Sequence, residues 1–310
     1  MIAIDAFNPK ETSKLFGLNR FYDLIKSLHN TKRFPKVLLL SGKKGIGKFT
    51  MINHFLNYVF NKSNYNINEN SFSKKNKFYT NFIENIHPNI IYLSGTNLNN
   101  FGVQDIRNLK TNILKTPIEN TKRYIILDDI EVFNLQSLNA ILKIIEEPGI
   151  YNYFILINNE STKLLETVRS RCIEIKVILN EFERIRIIKS LSEYFQIKII
   201  LDFNYLPISP GNFIKFNYFI SENKIDINEN LMLNINKIVN FYRKEKDEFF
   251  VHLTFFIIDY YFKFLNNNNY INEKIINDRS FIIKNLRNYF FYNLNHDTLL
   301  NSLDISLNNG

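Results

Sequence analysis

The stretch SGKKGIGKFT, residues 41–50, constrains the fold of this 310-residue chain more than any other segment. An apolar run at 37–40 precedes it and a helix-forming run follows, so Gly42, Gly45 and Gly47 fall where a strand turns into a helix. Glycines at that junction let the backbone bend back and aim its N–H groups inward, and the new helix adds the positive end of its dipole. Lys48 is placed to reach the outer phosphates of a ligand, and the spacing Gly-x4-Gly-Lys is that of a Walker A loop. The following position, where a hydroxyl should hold magnesium, is Phe49. Thr50 comes one residue too late, because neighbouring helix positions point about 100° apart. The loop therefore predicts a frame that would take ATP or ADP, and argues against hydrolysis there.

The surrounding pattern is that of a parallel sheet flanked by helices. Residues 37–40 are continuously apolar, as in a strand buried on both faces. A helix is expected at 19–28, and Met51, Ile52, Phe55, Leu56 and Val59 recur at helical spacing to residue 60. Residues 61–76, rich in asparagine, serine and lysine, read as a mobile surface excursion. A second strand is expected at 89–94 after His87-Pro88, with His87 a turn residue and not a metal ligand, since no partner of that type lies near. Val103, Ile106, Leu109, Ile113 and Leu114 mark a helix ending at Thr116-Pro117. A third strand at 124–127 closes on Asp128-Asp129, an arrangement in which a carboxylate reaches magnesium or its waters, or in which an aspartate merely caps the next turn. A fourth, at 153–157, ends in Asn158. Polar residues at the carboxyl ends of parallel strands stand where such sheets bind ligands.

Four elements carry a family resemblance: Asp128-Asp129-Ile130-Glu131; Leu138-Asn139-Ala140-Ile141-Leu142-Lys143; Glu146-Glu147-Pro148; and Arg169-Ser170-Arg171-Cys172. Together they resemble the clamp-loader branch of the AAA+ ATPases, over residues 8–215. The resemblance implies an α/β P-loop (AAA+) domain with a parallel sheet at 1–172, a small helical lid at 173–214 and an all-α collar for oligomerisation at 215–310. It also implies a subunit of a replicative polymerase's clamp loader, joined with motor and delta-type subunits in a hetero-pentameric ring that places a sliding clamp on primed DNA. In that family the arginine of the S-R-C triplet reaches into a neighbour's ATP site, and Arg171 matches it; outside this context Arg169 and Arg171 read as loop braces.

The departures from the family pattern are equally informative. Phe49 removes the magnesium hydroxyl, Asp129 replaces a glutamate that orients the attacking water, and Asn212, within Ser209-Pro210-Gly211-Asn212, replaces the second sensor arginine. Asn158 matches the first sensor. Losing ~1 Å of reach at a catalytic carboxylate can cost about 100-fold. The expected role is a stationary ring member that supplies Arg171 in trans; the alternative is an ATP-hydrolysing motor subunit. Some relatives hold zinc with four cysteines after the P-loop helix; the single cysteine here, Cys172, leads to the expectation of no zinc.

Residues 230–300 carry apolar side chains on almost every helical face, including Phe249, Phe250, Phe255, Phe256, Tyr260, Tyr261 and Phe264. Such a helix must be covered on all sides, which predicts neighbours in an oligomer, an independent aromatic bundle being the alternative. His252, Asp259 and Lys263 argue against a membrane span there. Residues 266–269 read as a loop and 302–310 as a frayed end. The start lacks a signal-peptide pattern and one cysteine suits a reducing compartment, so a cytoplasmic location is expected. A net charge of +9 suits a nucleic-acid partner, but lysine, asparagine and isoleucine rise together as in an AT-rich coding sequence, and the lysines are scattered.

Overall fold

The computed structural model describes residues 7–95, 109, 111–113, 117, 121–227, 230–267, 273–292, 294, 295 and 299. Most of the helix expected at 103–116, and the end at 302–310, lie outside them. The chain divides into two compact units, Met1–Phe195 with Ser209–Asn212, and Gln196–Ile208 with Phe213–Gly310. The segment expected as a lid, 173–214, is shared between them.

In the first unit the chain runs through α1 (Asn19–Asn30), β1 (Val37–Ser41), α2 (Lys48–Phe60), the short strands β2 (Tyr65–Asn66) and β3 (Ser71–Phe72), and α3 (Lys77–Ile83). It continues through β4 (Ile90–Ser94), β5 (Arg123–Asp128), α4 (Leu135–Glu146), β6 (Asn152–Asn158), the single turn α5 (Glu166–Arg169), β7 (Ile173–Lys176) and α6 (Glu181–Phe195). The larger sheet is parallel, in the order β4-β5-β6-β1-β7. Alternate side chains of a strand point to opposite faces, and this divides the core in two. Leu38, Leu40, Tyr124, Ile126, Ile155 and Ile157 pack with Met51, Ile52, Phe55 and Leu56 of α2. Val37, Leu39, Ile125, Leu127, Phe154 and Leu156 pack with Leu138, Ile141, Ile144 and Ile145 of α4. Each such side chain contributes about 1.5–3 kcal/mol of burial. The register sets Ser41 opposite Asn158 and Ser94 opposite Asp128, so the expected site residues share one edge of the sheet.

Two expectations about this unit are corrected. Residues 173–176, placed in the lid by sequence, pair with β1 as the edge strand β7. Half-exposed and reading Ile-Glu-Ile-Lys, β7 lacks the apolar run that marked the buried strands. The polar stretch 61–76 is tied to the core: Tyr65 and Phe72 are buried, Phe72 N–H donates to Ser13 O (2.9 Å), and Leu15 N–H donates to Asn70 O (2.9 Å). Its asparagines continue a side-chain ladder from α2, in which Asn57 donates to Asn53 (3.0 Å), Asn61 to Asn57 (3.3 Å) and Asn64 to Asn61 (2.9 Å). Helix α3, which follows, was not anticipated; Asn76 caps it by accepting from Tyr79 N–H at 2.8 Å, and Phe78 and Phe82 anchor it.

Beside the ladder, His54 is fully buried, with Nε2 donating to Thr12 O (3.1 Å) and Nδ1 accepting from the Tyr65 hydroxyl (3.2 Å). Burial lowers its pKa to about 4, against the opposing Thr12 hydrogen bond. Between the unfolded value near 6.5 and that folded value, the unfolded chain binds the extra proton. The contribution is thus complete above pH 6.5 and is lost as pH falls towards 4. Urea unfolding should show a loss of about 2 kcal/mol between pH 7 and pH 5 from this group. His54→Gln, which keeps a donor and an acceptor but does not titrate, should flatten that part of the pH dependence; an unchanged slope would contradict the assignment.

The second unit contains α7 (Pro210–Glu222) from Phe213 onward, α8 (Leu231–Glu245), α9 (Glu248–Asn267) and α10 (Glu273–Tyr292). Buried Asn217 holds the preceding segment, accepting from Ile200 N–H (2.9 Å) and Leu201 N–H (3.1 Å) and donating to Lys198 O (2.8 Å). The aromatic helix finds part of its cover within this chain, as the bundle alternative requires. Within its own unit α9 meets Phe216 through Phe256 (5.0 Å between ring centroids), Phe241 through Phe250 (5.7 Å) and Phe290 through Phe255 (6.0 Å). Phe250, Phe256, Tyr260 and Phe262 are buried, and Phe249, Phe255, Tyr261 and Phe264 are half-buried. Much of the aromatic surface is thus covered by this chain's own helices, while Phe291 and Tyr292 at the end of α10 stay exposed. Residues 266 and 267, expected as loop, complete α9. No helix among the described residues is long and apolar enough to cross a membrane.

Candidate functional site

The loop between β1 and α2 takes the backbone path its glycines foretell. Gly42, Gly45 and Gly47 all have positive φ, and at Gly45 (φ 86°) a Cβ would stand 2.5 Å from Ser209 Oγ and 2.6 Å from Asn212 Oδ1. The start of α7 therefore clasps the loop: Gly211 N–H donates to Gly45 O (2.9 Å) and the Asn212 amide to Lys44 O (3.4 Å). Lys48 is 3% exposed, with Nζ donating to the carbonyls of Gly42 (2.5 Å) and Lys43 (3.0 Å). Burial lowers its pKa to about 8, against the opposing charges of Asp128, Glu131, Glu160 and Asp129. Thr50 is half-buried, two positions further along α2.

Phe49 turns away from the loop into the core, 5.0 Å from the Tyr92 ring and 6.5 Å from that of Phe82. Tyr92 in turn donates its hydroxyl to Asp128 Oδ2 (3.3 Å). Asp128 Oδ1 accepts from Asp129 N–H (2.9 Å) and from the Asn159 amide (3.4 Å). Burial, then the neighbouring Asp129 charge, raises the Asp128 pKa to about 6. Asp129 adopts a left-handed backbone (φ 53°) and accepts from the Asn159 amide (2.7 Å) and Ser94 Oγ (3.3 Å), with Lys44 Nζ at 3.5 Å. Asn158 joins strand ends, donating to Ser41 Oγ (3.4 Å) and accepting from Glu160 N–H (3.0 Å).

The structure thus brings together Gly42, Gly45, Gly47, Lys48, Asp128 and Asn158 at one sheet edge, and adds residues that sequence reasoning missed. Asn159 bridges both aspartates, and its only sequence signal is a second polar residue past the strand end. Glu131 is 7% exposed; its Oε1 accepts from Asn159 N–H (3.1 Å), Ser161 N–H (3.3 Å) and Ser161 Oγ (2.8 Å), fixing the loop after β6. Among the described residues no group of three or more His, Cys, Asp or Glu is arranged to hold a metal ion.

Arg171 lies apart from these groups, on the loop between α5 and β7, exposed. The two arginines of the triplet region have different surroundings. Arg169 Nη2 contacts both oxygens of Glu174 (3.1 and 3.2 Å) and its Nη1 lies 3.5 Å from Glu166, which makes it a brace between α5 and β7. Arg171 donates from Nε to Glu146 Oε1 (2.8 Å) and from Nη1 to Thr167 O (2.8 Å), with Nη2 2.5 Å from Glu146. Cys172 is half-buried, its thiol donating to Val168 O (3.1 Å) and pushed up to about 11 by burial and then Glu174.

A parallel sheet in this order, with a glycine loop after β1 and an acid-ended β5, is the frame of an AAA+ P-loop protein. The sequence model of the family described as DNA polymerase III, delta subunit matches residues 17–180, more than half of the chain, and the chain belongs to that family of clamp-loader AAA+ proteins. The DNA polymerase III subunit gamma of Buchnera aphidicola subsp. Schizaphis graminum is 26% identical over 187 residues, 60% of this chain and 50% of that protein. Subunit delta' of the same organism is 27% identical over 203 residues, 63% of this chain and 60% of that protein. The match spans half to three fifths of the length of these relatives. A DNA polymerase III gamma-subunit-related protein from Thermotoga maritima overlays with a TM-score of 0.44 at 19% identity, over 91% of this chain and 98% of that one.

Proposed function

We propose that this chain is a stationary, delta-prime-type subunit of the DNA polymerase III clamp loader. It has a degenerate ATP site of its own and supplies Arg171 in trans to a neighbouring motor subunit. The observation that carries this reading is Phe49: the side chain at the magnesium-hydroxyl position is packed on Phe82 and Tyr92, and Tyr92 occupies the Asp128 carboxylate that would hold the metal's waters. The donors around the loop fit a phosphate better than a magnesium nucleotide. Lys48 and the glycines remain, and no hydroxyl stands beside the lysine. Assembly with motor and delta-type subunits in a hetero-pentameric ring, action on a sliding clamp at primed DNA and a cytoplasmic location belong to the same proposal.

The alternative is an ATP-hydrolysing motor subunit, and the chain is about as similar to the relative named gamma as to the one named delta'. One measurement separates the two. The isolated chain should hydrolyse ATP no faster than background, whereas a steady turnover abolished by Lys48→Ala would establish the motor reading.

A further inference from the structure

Resting on the trans-arginine reading, we propose that Glu146 is the positioning residue of Arg171, joining the Glu146-Glu147-Pro148 element to the S-R-C element as one device. Glu146 is the last residue of α4, a helix fixed by Leu138, Ile141, Ile144 and Ile145 in the core, so its carboxylate stands on a rigid base. It takes the Nε edge of the guanidinium, with Nε 2.8 Å and Nη2 2.5 Å from Oε1, while Thr167 O takes one N–H of Nη1 at 2.8 Å. A guanidinium has five N–H donors in a fixed plane. Nε–H and one N–H of Nη1 are hydrogen-bonded within this chain and Nη2 is ion-paired with the same Glu146 oxygen, which leaves a donor on each terminal nitrogen for a phosphoryl group. An arginine on an exposed loop otherwise carries rotamer entropy that each encounter with a ligand would have to overcome. Arg169, with Nη1 and Nη2 both directed to carboxylates of its own chain, is not so presented.

The test uses the assembled ring, containing this full chain and its motor and delta-type subunits, with every motor site inactivated except the one facing Arg171. Glu146→Ala should lower kcat at that site by about 10- to 100-fold, the size expected of a catalytic group misplaced by ~1 Å. KM for ATP and elution of the complex should be unchanged. Glu146→Gln, whose amide oxygen still accepts from Nε, should recover most of the rate. In an Arg171→Ala background, Glu146→Ala should have no further effect. A rise in rate with Glu146→Ala would make the carboxylate a competitor for Arg171, and an equal fall in both backgrounds would make it a general structural residue; either overturns the inference. If Arg171→Ala lowers the rate and Glu146→Ala does not, this inference alone fails. If Arg171→Ala has no effect, the trans-arginine reading fails with it.

Discussion

Arg171→Ala should lower ATP turnover at the neighbouring motor site by about 10³-fold or more, the range attributed to arginine fingers. The folded chain should be nearly indifferent to the change. The ion pair with Glu146 is partly solvent-exposed on both sides, 36% and 45% by side chain, and such pairs contribute about 0–1 kcal/mol. Cys172 and Val168, which fix the loop against the core, are untouched by the substitution. Arg171→Lys should leave the rate low, because an ammonium cannot present two coplanar donors while also bonding Glu146 and Thr167. The measurement is steady-state turnover in assembled ring with a single competent motor site, alongside urea unfolding of the free chain. Normal turnover in an intact Arg171→Ala ring would reduce the residue to a brace like Arg169.

Gly45→Ala should destabilise the free chain by about 2–4 kcal/mol, combining the left-handed backbone penalty with overpacking against the start of α7. The two contributions can be separated by a second glycine. Gly149 also has positive φ (75°), but there a Cβ would meet nothing closer than Asn152 Nδ2 at 3.5 Å. Gly149→Ala should therefore cost only the backbone part, about 1–2 kcal/mol. The difference between the two urea midpoints reads the steric closeness of the clasp formed by Ser209, Gly211 and Asn212. Equal losses at the two positions would show that the clasp yields without cost.

What the sequence made legible is what depends on nearest neighbours along the chain. Continuous apolar runs identified β1, β4, β5 and β6, the glycine spacing located the loop, and strand-end acids located the sheet edge. Side chains whose role is set by what stands opposite were not legible. Tyr92 reads as one more apolar strand residue, yet its hydroxyl binds Asp128. Asn159 reads as loop, yet it bridges two aspartates. The scattered asparagines of 53–64 read as coding bias, yet four of them pair at successive turns. The cover of the aromatic helix α9 is not legible for the same reason: its pattern shows that it must be covered, and does not show how much of that cover α7, α8 and α10 supply.

The pairing of β7 with β1 has a mechanical consequence. Arg171 is two residues from β7, whose register on β1 runs from Ile173 on Leu38 to Lys176 on Ser41, and Val177 N–H continues it to Ser41 O at 2.7 Å. A pull on the guanidinium is thus loaded in shear onto the strand that leads into the chain's own phosphate loop, and parallel hydrogen bonds resist shear together rather than one at a time. The loop at the end of that path is stapled by Lys48 and clasped at Gly45, so it offers little compliance. In the proposed role, a subunit built this way serves as an anvil: force applied at Arg171 is passed along β7 and β1, not absorbed by a loose loop.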